Sequence, residues 1–566
     1  MIDIFLSWII ILGASLLFGY FAIHLVFEKE SCLLGFDVYI ISGLMILNVF
    51  AEAFSIFYKV GIMACFILTI AGFGIFIFLI ARKRTAIILD IRKLMEKSKV
   101  QYIAGCVCIL ATAMWTIMTP QHYDTALYHA QAVRWIEEYG VVPGLGNLHN
   151  RFAYNSAFMP LQALFSFEWH LDRSLHTLNG FICCFFLLYS VLTNHILKGK
   201  RLLTSDLLKF VMIIYICVNQ RYISSLSSDL LAMLLMIYIF TKWSEFTEQG
   251  ITSELPYAFC CLLCVYAATV KLSTATGVLL AVFPIVLLVK KKRYNLICIY
   301  TVAGICIALP WIIRNVIISG YLVYPYSKID FFDVDWKMLP SVLDFDKMEI
   351  AVWGRGINDV SQYAQPAYEW VIQWFEGQNL FEKGLIVVGV VSALIVLFMS
   401  MIMVSKKQYA KTVMYITMLA GLMLWFFSAP LLRYGSAYLM LPIGIVCGFM
   451  GERGSGYDRL VKIICLLVMM PLIGKYTLGF KNLEKELLLK QQDYRCYPCE
   501  ERVLDNVSIW IPIEGDQVGY ESFPSTPYRN LLEVIELRGE TIKDGFRVKE
   551  LYQQKKMNAY GDEWDQ

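Results

Sequence analysis

A long polar segment between two hydrophobic runs holds the residues best suited to chemistry. The stretch 119–176 contains five of the seven histidines of the chain: His122, His129, His149, His170 and His176. A protein that only sits in lipid can join its helices by short loops, so this segment predicts a site at the membrane surface. His122, His129 and His149 can be considered as metal ligands, but their spacing fits no known ligand pattern.

Asp124 is the carboxylate best placed for proton transfer in this segment. It precedes residues 125–139, which we expect to form a helix, and four residues share one face of that helix: Asp124, Tyr128, Gln131 and Trp135. A carboxylate there can take a proton from a sugar hydroxyl while Tyr128 and Trp135 stack on the sugar. Alternatively, Asp124 caps the helix and Trp135 belongs to the interfacial aromatic belt.

A turn-rich stretch, 142–147, follows that helix and is succeeded by His149, Arg151 and Asn155. Glycine-rich backbone next to an arginine and a histidine suits an anion such as phosphate, since the guanidinium binds it with two donors and the imidazole adds a third. Asn155 is a candidate for hydrogen bonding to a sugar. As isolated surface residues, His149 and Arg151 would instead be solvated and inert.

Four more charged residues are predicted at helix ends on the same face of the membrane: Asp229, Lys271, Arg314 and Arg433. A cation at membrane depth should face a cavity or a phosphate. Asp229 can instead be a helix cap, and Arg433 can instead extend to lipid headgroups. Together with Asp124 and Arg151, the set has a base for an acceptor hydroxyl and cations for a phosphate leaving group.

The elements that must position these residues are membrane helices. The chain is 58% hydrophobic and 17% charged, which indicates a polytopic all-α membrane protein, and a net charge of +3 gives no support for nucleic-acid binding. Apolar runs predict 12–14 spans. The fourteen runs are 4–27, 36–58, 60–81, 101–119, 175–197, 206–219, 228–243, 256–270, 273–289, 294–313, 383–404, 412–429, 434–450 and 460–479.

Basic residues orient these spans. Clusters at 82–84, 198–201, 290–293 and 406–411 all fall on one side, which the positive-inside rule makes cytoplasmic. The other side then carries the loops 120–174 and 314–382. We expect N-terminal helices and a basic loop over 1–100, a transmembrane core over 101–479, and a small extracytoplasmic α+β domain over 480–566.

The tail also contains the pair Cys496 and Cys499, while the other fourteen cysteines lie in or beside apolar runs. In an exported tail the compartment is oxidising, and the two-residue spacing permits a disulfide between them. A redox-active motif has less support, because no thioredoxin-like βαβ pattern surrounds the pair.

Several motifs resemble a bacterial family of multi-spanning proteins of envelope polysaccharide synthesis that is similar to the GT-C glycosyltransferases. They are YDTALYHAQAVRWIEEYGVVPGLGNLHNRFAYNS, VKLST, RNVIISGYLVYP, PLLRYG and RGETIKDGFR. The resemblance implies a GT-C-like fold, polyprenyl-phosphate or pyrophosphate sugar donors, Asp124 as general base and Asp229 as a second acid. The chain lacks the paired acidic motif of the simplest GT-C proteins, so a divalent metal is possible but neither it nor another cofactor is indicated.

The sequence therefore predicts an inverting glycosyltransferase of the bacterial cytoplasmic membrane. It would move a sugar from a lipid-linked donor to a cell-envelope glycan or glycolipid on the outer face. A flippase or transporter of lipid-linked saccharides is the alternative, although transporters place polar groups at the midplane rather than at the rim. A polysaccharide polymerase or ligase is a third possibility, which product size would distinguish.

Overall fold

The computed structural model describes residues 1–26, 35–95, 98–195, 202–452, 455–479 and 490–564. Helices dominate it from the first residues. Four long ones open the chain: α1 (Ile2–Val26), α2 (Phe36–Phe57), α3 (Ile62–Met95) and α4 (Lys99–Ile117). Their apolar residues run around the whole helix, as expected where lipid replaces water on the outer face.

Short elements build the first large loop. A π-helical turn, Thr125–His129, leads into α5 (Ala130–Glu138). The loop continues through α6 (Leu145–Leu148), a 3-10 turn (Asn150–Tyr154), α7 (Phe158–Leu164) and α8 (Glu168–Leu171). Gly144 precedes α6 with a φ of +63°, a backbone conformation that glycine adopts without strain.

The central helices follow this loop. They are α9 (Leu178–Thr193), α10 (Thr204–Val218), α11 (Ser228–Glu248), α12 (Leu255–Val270), a 3-10 stretch (Leu272–Ala281) continued by α13 (Val282–Lys290), and α14 (Tyr294–Ser319). α11 is the most enclosed span, because 89% of its most apolar window is buried inside the protein. It therefore forms the axis around which the other helices pack.

The second loop and the last spans complete the helical part. They comprise α15 (Pro340–Gly354), α16 (Ala367–Glu376), α17 (Leu380–Ser405), α18 (Tyr409–Ser428), α19 (Leu432–Gly451) and α20 (Ser455–Leu478). Within the described ranges, 11 helices are long and apolar enough to cross a membrane, and two shorter apolar helices are α9 and α12. The prediction of a multi-pass membrane protein is confirmed. All fourteen predicted runs coincide with helices, but α10 is neither among the 11 nor among the shorter apolar ones.

The described part of the tail contains two small antiparallel sheets, one short α-helix and two 3-10 turns (Ile542–Asp544 and Glu550–Tyr552), in agreement with the predicted strand-containing region. β1 (Cys499–Leu504) pairs with β2 (Val507–Pro512); α21 (Leu531–Val534) precedes β3 (Ile535–Leu537), which pairs with β4 (Phe546–Val548). Leu504 is opposite Val507, so the β1–β2 hairpin turns through two residues. Asp505, the first of them, has a φ of +53°, as tight hairpin turns require.

The tail shares one hydrophobic core with both large loops. Trp135 and Leu148 of the first loop, Tyr321 of the second, and Ile535 and Phe546 of the tail are buried in the same cluster. Backbone bonds join the same parts: the Phe546 N–H donates to the Pro143 carbonyl at 3.0 Å. The three predicted outer segments therefore lie on one side of the helical bundle and pack as a unit.

Two of the basic clusters fall at other helix ends, at 290–293 and 406–411, whereas the cluster at 82–84 lies within α3. Lys291 and Arg293, between α13 and α14, pair with Glu254 at 2.5 and 2.7 Å. α14 then runs from this end to the second large loop, so these two features lie on opposite sides of the bundle. The predicted cluster at 198–201 lies outside the described residues. Which side is cytoplasmic stays a prediction.

Candidate active site

One cavity of about 840 Å³ lies between the first loop, the ends of the central helices on the same side of the bundle, and the tail. Nine of the ten residues that the sequence singled out for base, phosphate or sugar roles line it: Asp124, Tyr128, Trp135, Arg151, Asn155, Asp229, Lys271, Arg314 and Arg433. His149 is the exception. The structure thus brings together residues from six separate stretches of the chain.

Asp124 pairs with Arg433 across this cavity. The Nη2 of Arg433 donates to Oδ2 of Asp124 at 2.9 Å and to the hydroxyl of Tyr434 at 2.8 Å. The side chain of Asp124 makes no capping hydrogen bond to the turn that follows. The helix-cap interpretation of Asp124 is therefore wrong, because its carboxylate is turned toward the cation instead of the backbone.

Two histidines surround Asp124. Its backbone N–H donates to Nδ1 of His122 at 3.1 Å, and the rings of His122 and His129 are 5.6 Å apart. Burial lowers the pKa of His122, and burial lowers the pKa of His129 to about 3. Burial alone would raise the pKa of Asp124, but His122 and Arg433 outweigh it and hold the pKa below its usual value. At neutral pH, Asp124 is ionised and the imidazoles are neutral.

Asp229 forms a second ion pair, with Lys271. Ser227 is the residue that caps α11, and its hydroxyl accepts from the Asp229 N–H at 3.2 Å. Asp229 is thus inside the first turn, and its predicted capping alternative is wrong because Ser227 already occupies the cap. Lys271 lies at the break between α12 and the 3-10 stretch, where the helical backbone ends.

Tyr434 lies between the two ion pairs. Its hydroxyl accepts from Arg433, and the ammonium of Lys271 lies 3.7 Å from the centre of its ring. An aromatic face attracts a cation, most strongly where water is scarce. Tyr434 was not singled out in the sequence, although its position beside Arg433 was a signal.

Arg151 lines the cavity but is held by protein carboxylates. Its guanidinium is 3.0 Å from Oδ1 of Asp346 and 2.8 Å from Oε2 of Glu349. Both acids come from α15 and were missed, although their i, i+3 spacing puts them on one helix face. The positive charge of Arg151 is already compensated. Its role in binding phosphate stays a prediction that this geometry does not favour.

His149 is enclosed by the rings of Tyr128, Phe152 and Tyr528, behind the cavity wall. Burial, followed by the charge of Arg151, keeps its pKa well below the usual value. The imidazole is therefore neutral at physiological pH. Electrostatic attraction of a phosphate by His149 would need a proton that this environment disfavours.

Arg314 and Asn155 are mutually bonded in the cavity wall. Nε of Arg314 donates to Oδ1 of Asn155 at 3.0 Å, and the Asn155 amide donates to Asn315 at 2.8 Å. Arg314 also bonds the hydroxyl of Ser55 in α2. Arg314 thus fixes the orientation of the Asn155 amide, and the sugar-binding prediction for Asn155 remains open.

Trp135 is buried completely, and tail residues cover its ring. The ring centre lies 4.9 Å from that of Phe523 and 6.1 Å from that of Phe546. Gln131, on the same face, donates to the carbonyl of Gly519 at 2.9 Å. This face of α5 therefore binds the tail, which the sequence did not reveal. Asp124, Tyr128 and Trp135 all line the cavity, but the ring of Trp135 is also covered by the tail.

Cys496 and Cys499 both have free thiols, so the predicted disulfide is not formed in the structure. The chain between them contains no turn, and Cys499 already belongs to β1. A disulfide needs the two Cα atoms within about 7 Å, which the chain around such a short spacing provides only when it bends. No group of three or more metal-ligand side chains that could hold an ion occurs in the described part of the chain.

Comparison with known proteins gives one match. The model of one family, described as a domain of unknown function (DUF8201), matches residues 1–440. This range contains both ion pairs of the cavity and ends before the tail. No curated protein and no solved structure matches the chain significantly.

Proposed function

The chain belongs to the DUF8201 family, and we propose that it is a membrane glycosyltransferase that takes a sugar from a polyprenyl-phosphate or pyrophosphate carrier. The acceptor is a cell-envelope glycan or glycolipid at the outer face of the cytoplasmic membrane. The observation that carries the proposal is one cavity that holds an ionised carboxylate, Asp124, paired with Arg433, and a second cation, Lys271, paired with Asp229.

The reaction assigns one role to each charge. Asp124 accepts the proton of the acceptor hydroxyl as its oxygen bonds to the anomeric carbon. The bond from that carbon to the phosphate oxygen breaks in the same displacement, and the configuration inverts. Arg433 and Lys271 stabilise the negative charge that develops on the leaving phosphate, which is most effective in a site poor in water. Asp229 holds Lys271 in place.

The cavity also suits a donor that stays in the bilayer. Trp425, Phe427 and Leu431 line it at the end of α18, and the side chain of Phe427 is 64% exposed. A large apolar side chain exposed there faces lipid in a membrane-embedded protein. The polyprenyl chain can therefore remain in the bilayer while its sugar phosphate enters. A volume of about 840 Å³ accommodates a sugar phosphate together with an acceptor.

Exchange of Asp124 for asparagine tests the proposal. Asp124→Asn keeps the shape of the side chain but cannot accept the proton, so we expect the transferred sugar to disappear from the envelope glycan at unchanged protein level. Asp516→Asn is the matched control, since Asp516 lines the same cavity but binds the hydroxyl of Tyr123 rather than a cation. Unaltered glycan in the Asp124→Asn variant would refute the assignment of Asp124 as the general base.

One observation favours transport as a second candidate. Glu52 in α2 and Arg314 in α14 are charged residues buried within candidate spans, and such residues often mark a transport path. Purified protein in vesicles distinguishes the two functions. Movement of a lipid-linked saccharide across the membrane without glycosyl transfer would support a flippase. Formation of long chains rather than addition of one sugar would support a polymerase or ligase.

A further inference from the structure

A second cavity, of about 1070 Å³, has its polar end at the other end of the helical bundle. It is bounded by α1, α2, α4, α9, α10 and α11. Lys242 and Glu245 at its polar end lie on α11, and Lys242 is 13 residues beyond Asp229 on the same helix, which corresponds to about 20 Å. The charged groups of the two cavities therefore lie near opposite ends of α11.

Apolar side chains form most of the wall of this second cavity. The apolar lining includes Phe5, Trp8, Ile9, Leu12, Phe181 and Phe185. Ile9 is 65% exposed and Leu12 is 37% exposed, so the wall is open sideways at α1. In a membrane this opening faces the acyl chains of the bilayer.

The polar end of the cavity is a network of buried charges in which Asp206 lies 4.0 Å from the ammonium of Lys209. Glu245 lies 2.7 Å from the ammonium of Lys209 and 2.8 Å from that of Lys242, and Lys242 also lies 3.2 Å from Asp37. The hydroxyl of Tyr189 donates to Glu245 at 2.9 Å. Lys209 and Lys242 are 2% and 4% exposed. Burial of a charged side chain costs free energy unless an opposite charge pairs with it. Charged side chains within a membrane also often mark a functional site, and this network lines a space large enough for a ligand.

We propose that this cavity binds a zwitterionic phospholipid whose headgroup carries a phosphate and a primary ammonium. The acyl chains occupy the apolar wall beside α1, the phosphate receives donors from Lys209 and Lys242, and the ammonium lies against Asp37 and Glu245. Three acids, Asp37, Asp206 and Glu245, face two lysines, so the network accommodates an added ammonium and disfavours a headgroup with net negative charge. An anionic headgroup would add one uncompensated charge in a medium of low dielectric. This inference does not depend on the proposed function.

The test measures which lipid stays bound. The full-length protein is reconstituted in vesicles of equal phosphatidylethanolamine and phosphatidylglycerol, extracted in mild detergent, and examined by native mass spectrometry. We expect about tenfold preference for phosphatidylethanolamine, the ratio that one favourable charge contact provides. Equal retention of both lipids, or retention of neither, would overturn the proposal.

Two sets of variants locate the bound lipid. Ile9→Trp with Leu12→Trp fills the lateral opening and should release the lipid, whereas Leu6→Trp with Ile10→Trp adds the same bulk at exposed positions outside the lining and should not. Asp37→Asn removes one of the three acids and should shift the preference toward phosphatidylglycerol. Unchanged lipid retention in the Ile9→Trp, Leu12→Trp variant contradicts the assigned site. An unchanged preference between the two lipids in the Asp37→Asn variant contradicts it as well.

Discussion

Tyr434 contacts both ion pairs of the candidate active site. Its hydroxyl bonds Arg433, and its ring faces Lys271. Each cation therefore has one carboxylate and one aromatic neighbour. In the proposed reaction, a phosphate that binds both cations meets side chains that their contacts with Tyr434 help to orient.

Substitution of Tyr434 separates these two contacts. Tyr434→Phe loses the hydrogen bond to a charged group but keeps the ring, so we expect sugar transfer to fall about tenfold. Tyr434→Leu also loses the cation–π contact, so we expect its rate of sugar transfer to fall about a hundredfold or more. Initial rates in isolated membranes provide the measurement, with Tyr123→Phe as a control at the cavity rim. Equal rates for the Phe and Leu variants would contradict the role of the ring.

The charge state of Asp124 predicts how transfer depends on pH. In the proposed reaction the ionised form is the active one, so we expect activity to be present above its pKa and to be lost as the pH falls through it. Because His122 and Arg433 hold that pKa below the usual value, we expect no loss until the pH is below the ordinary range of an aspartate. Arg433→Gln should move the acid limb of the pH–rate profile upward. An unmoved limb would show that another group limits the rate.

At the scale of elements, the junction between α5 and the tail determines the shape of the cavity. The π-helical turn Thr125–His129 widens the helix directly after Asp124, and such turns are frequent at functional sites. Its neighbour α5 turns Gln131, Arg134 and Trp135 toward the tail. The same helical segment therefore supplies the proposed base at one end and the tail contact at the other.

Glu137 makes this junction sensitive to pH. Ser174 and Tyr520 donate to its carboxylate at 2.9 and 2.7 Å, and burial raises its pKa to about 7. The folded state then binds the proton more tightly than the unfolded chain, so the stability from this group is complete below about pH 4.5 and declines toward pH 7. We expect tail residues near Tyr520 to exchange amide hydrogens faster at pH 8 than at pH 5.5.

Glu137→Gln tests the origin of that dependence. Glutamine keeps the shape and cannot ionise, so the difference in hydrogen exchange between the two pH values should disappear after correction for intrinsic exchange rates. Glu521→Gln is the control on the same contact, because this carboxylate is largely exposed. A pH dependence that persists in the Glu137 variant would assign it to other groups.

At the scale of the whole molecule, the sequence predicted the membrane helices well. About 20 apolar residues are needed to span a bilayer, so each long run had one plausible structure. The predicted site residues lie at the ends of these runs on one side of the bundle. Packing of the helices therefore brings most of them together in the wall of one cavity. The exception is His149, which lies behind the cavity wall. Its burial could not be predicted, because nothing in the sequence distinguishes a buried histidine in a loop from an exposed one.

The pairing within the site was not predictable. Asp124 and Arg433 are 309 residues apart, and Arg151 and Glu349 are 198 apart. Spacing along one helix indicates a shared face, but it contains no information on which distant helix supplies the partner. The tail contact of Trp135 was missed for the same reason: its i+11 position agrees equally well with a cavity wall and with a domain interface.

Membrane orientation predicts which thiols react from outside. The Cys496 thiol is exposed in the tail, so a membrane-impermeant maleimide should label it on intact spheroplasts, and Cys496→Ser should abolish the labelling. Lys292→Cys in that background lies between α13 and α14 and should react only after permeabilisation. The reverse pattern would place the tail in the cytoplasm. Labelling that requires a reductant would indicate a disulfide in the cell.

The common core of loops and tail imposes an order on biosynthesis. Phe546 covers Trp135, and Tyr528 lines one side of the candidate active site, yet both follow α20 in the chain. A ribosome makes them after α1 to α20, so the nascent protein holds an uncovered aromatic face until the tail has been synthesised and has packed. Premature stop codons far downstream of Asp124 should therefore produce inactive, protease-sensitive chains. We expect synthesis of the tail to act as a maturation step.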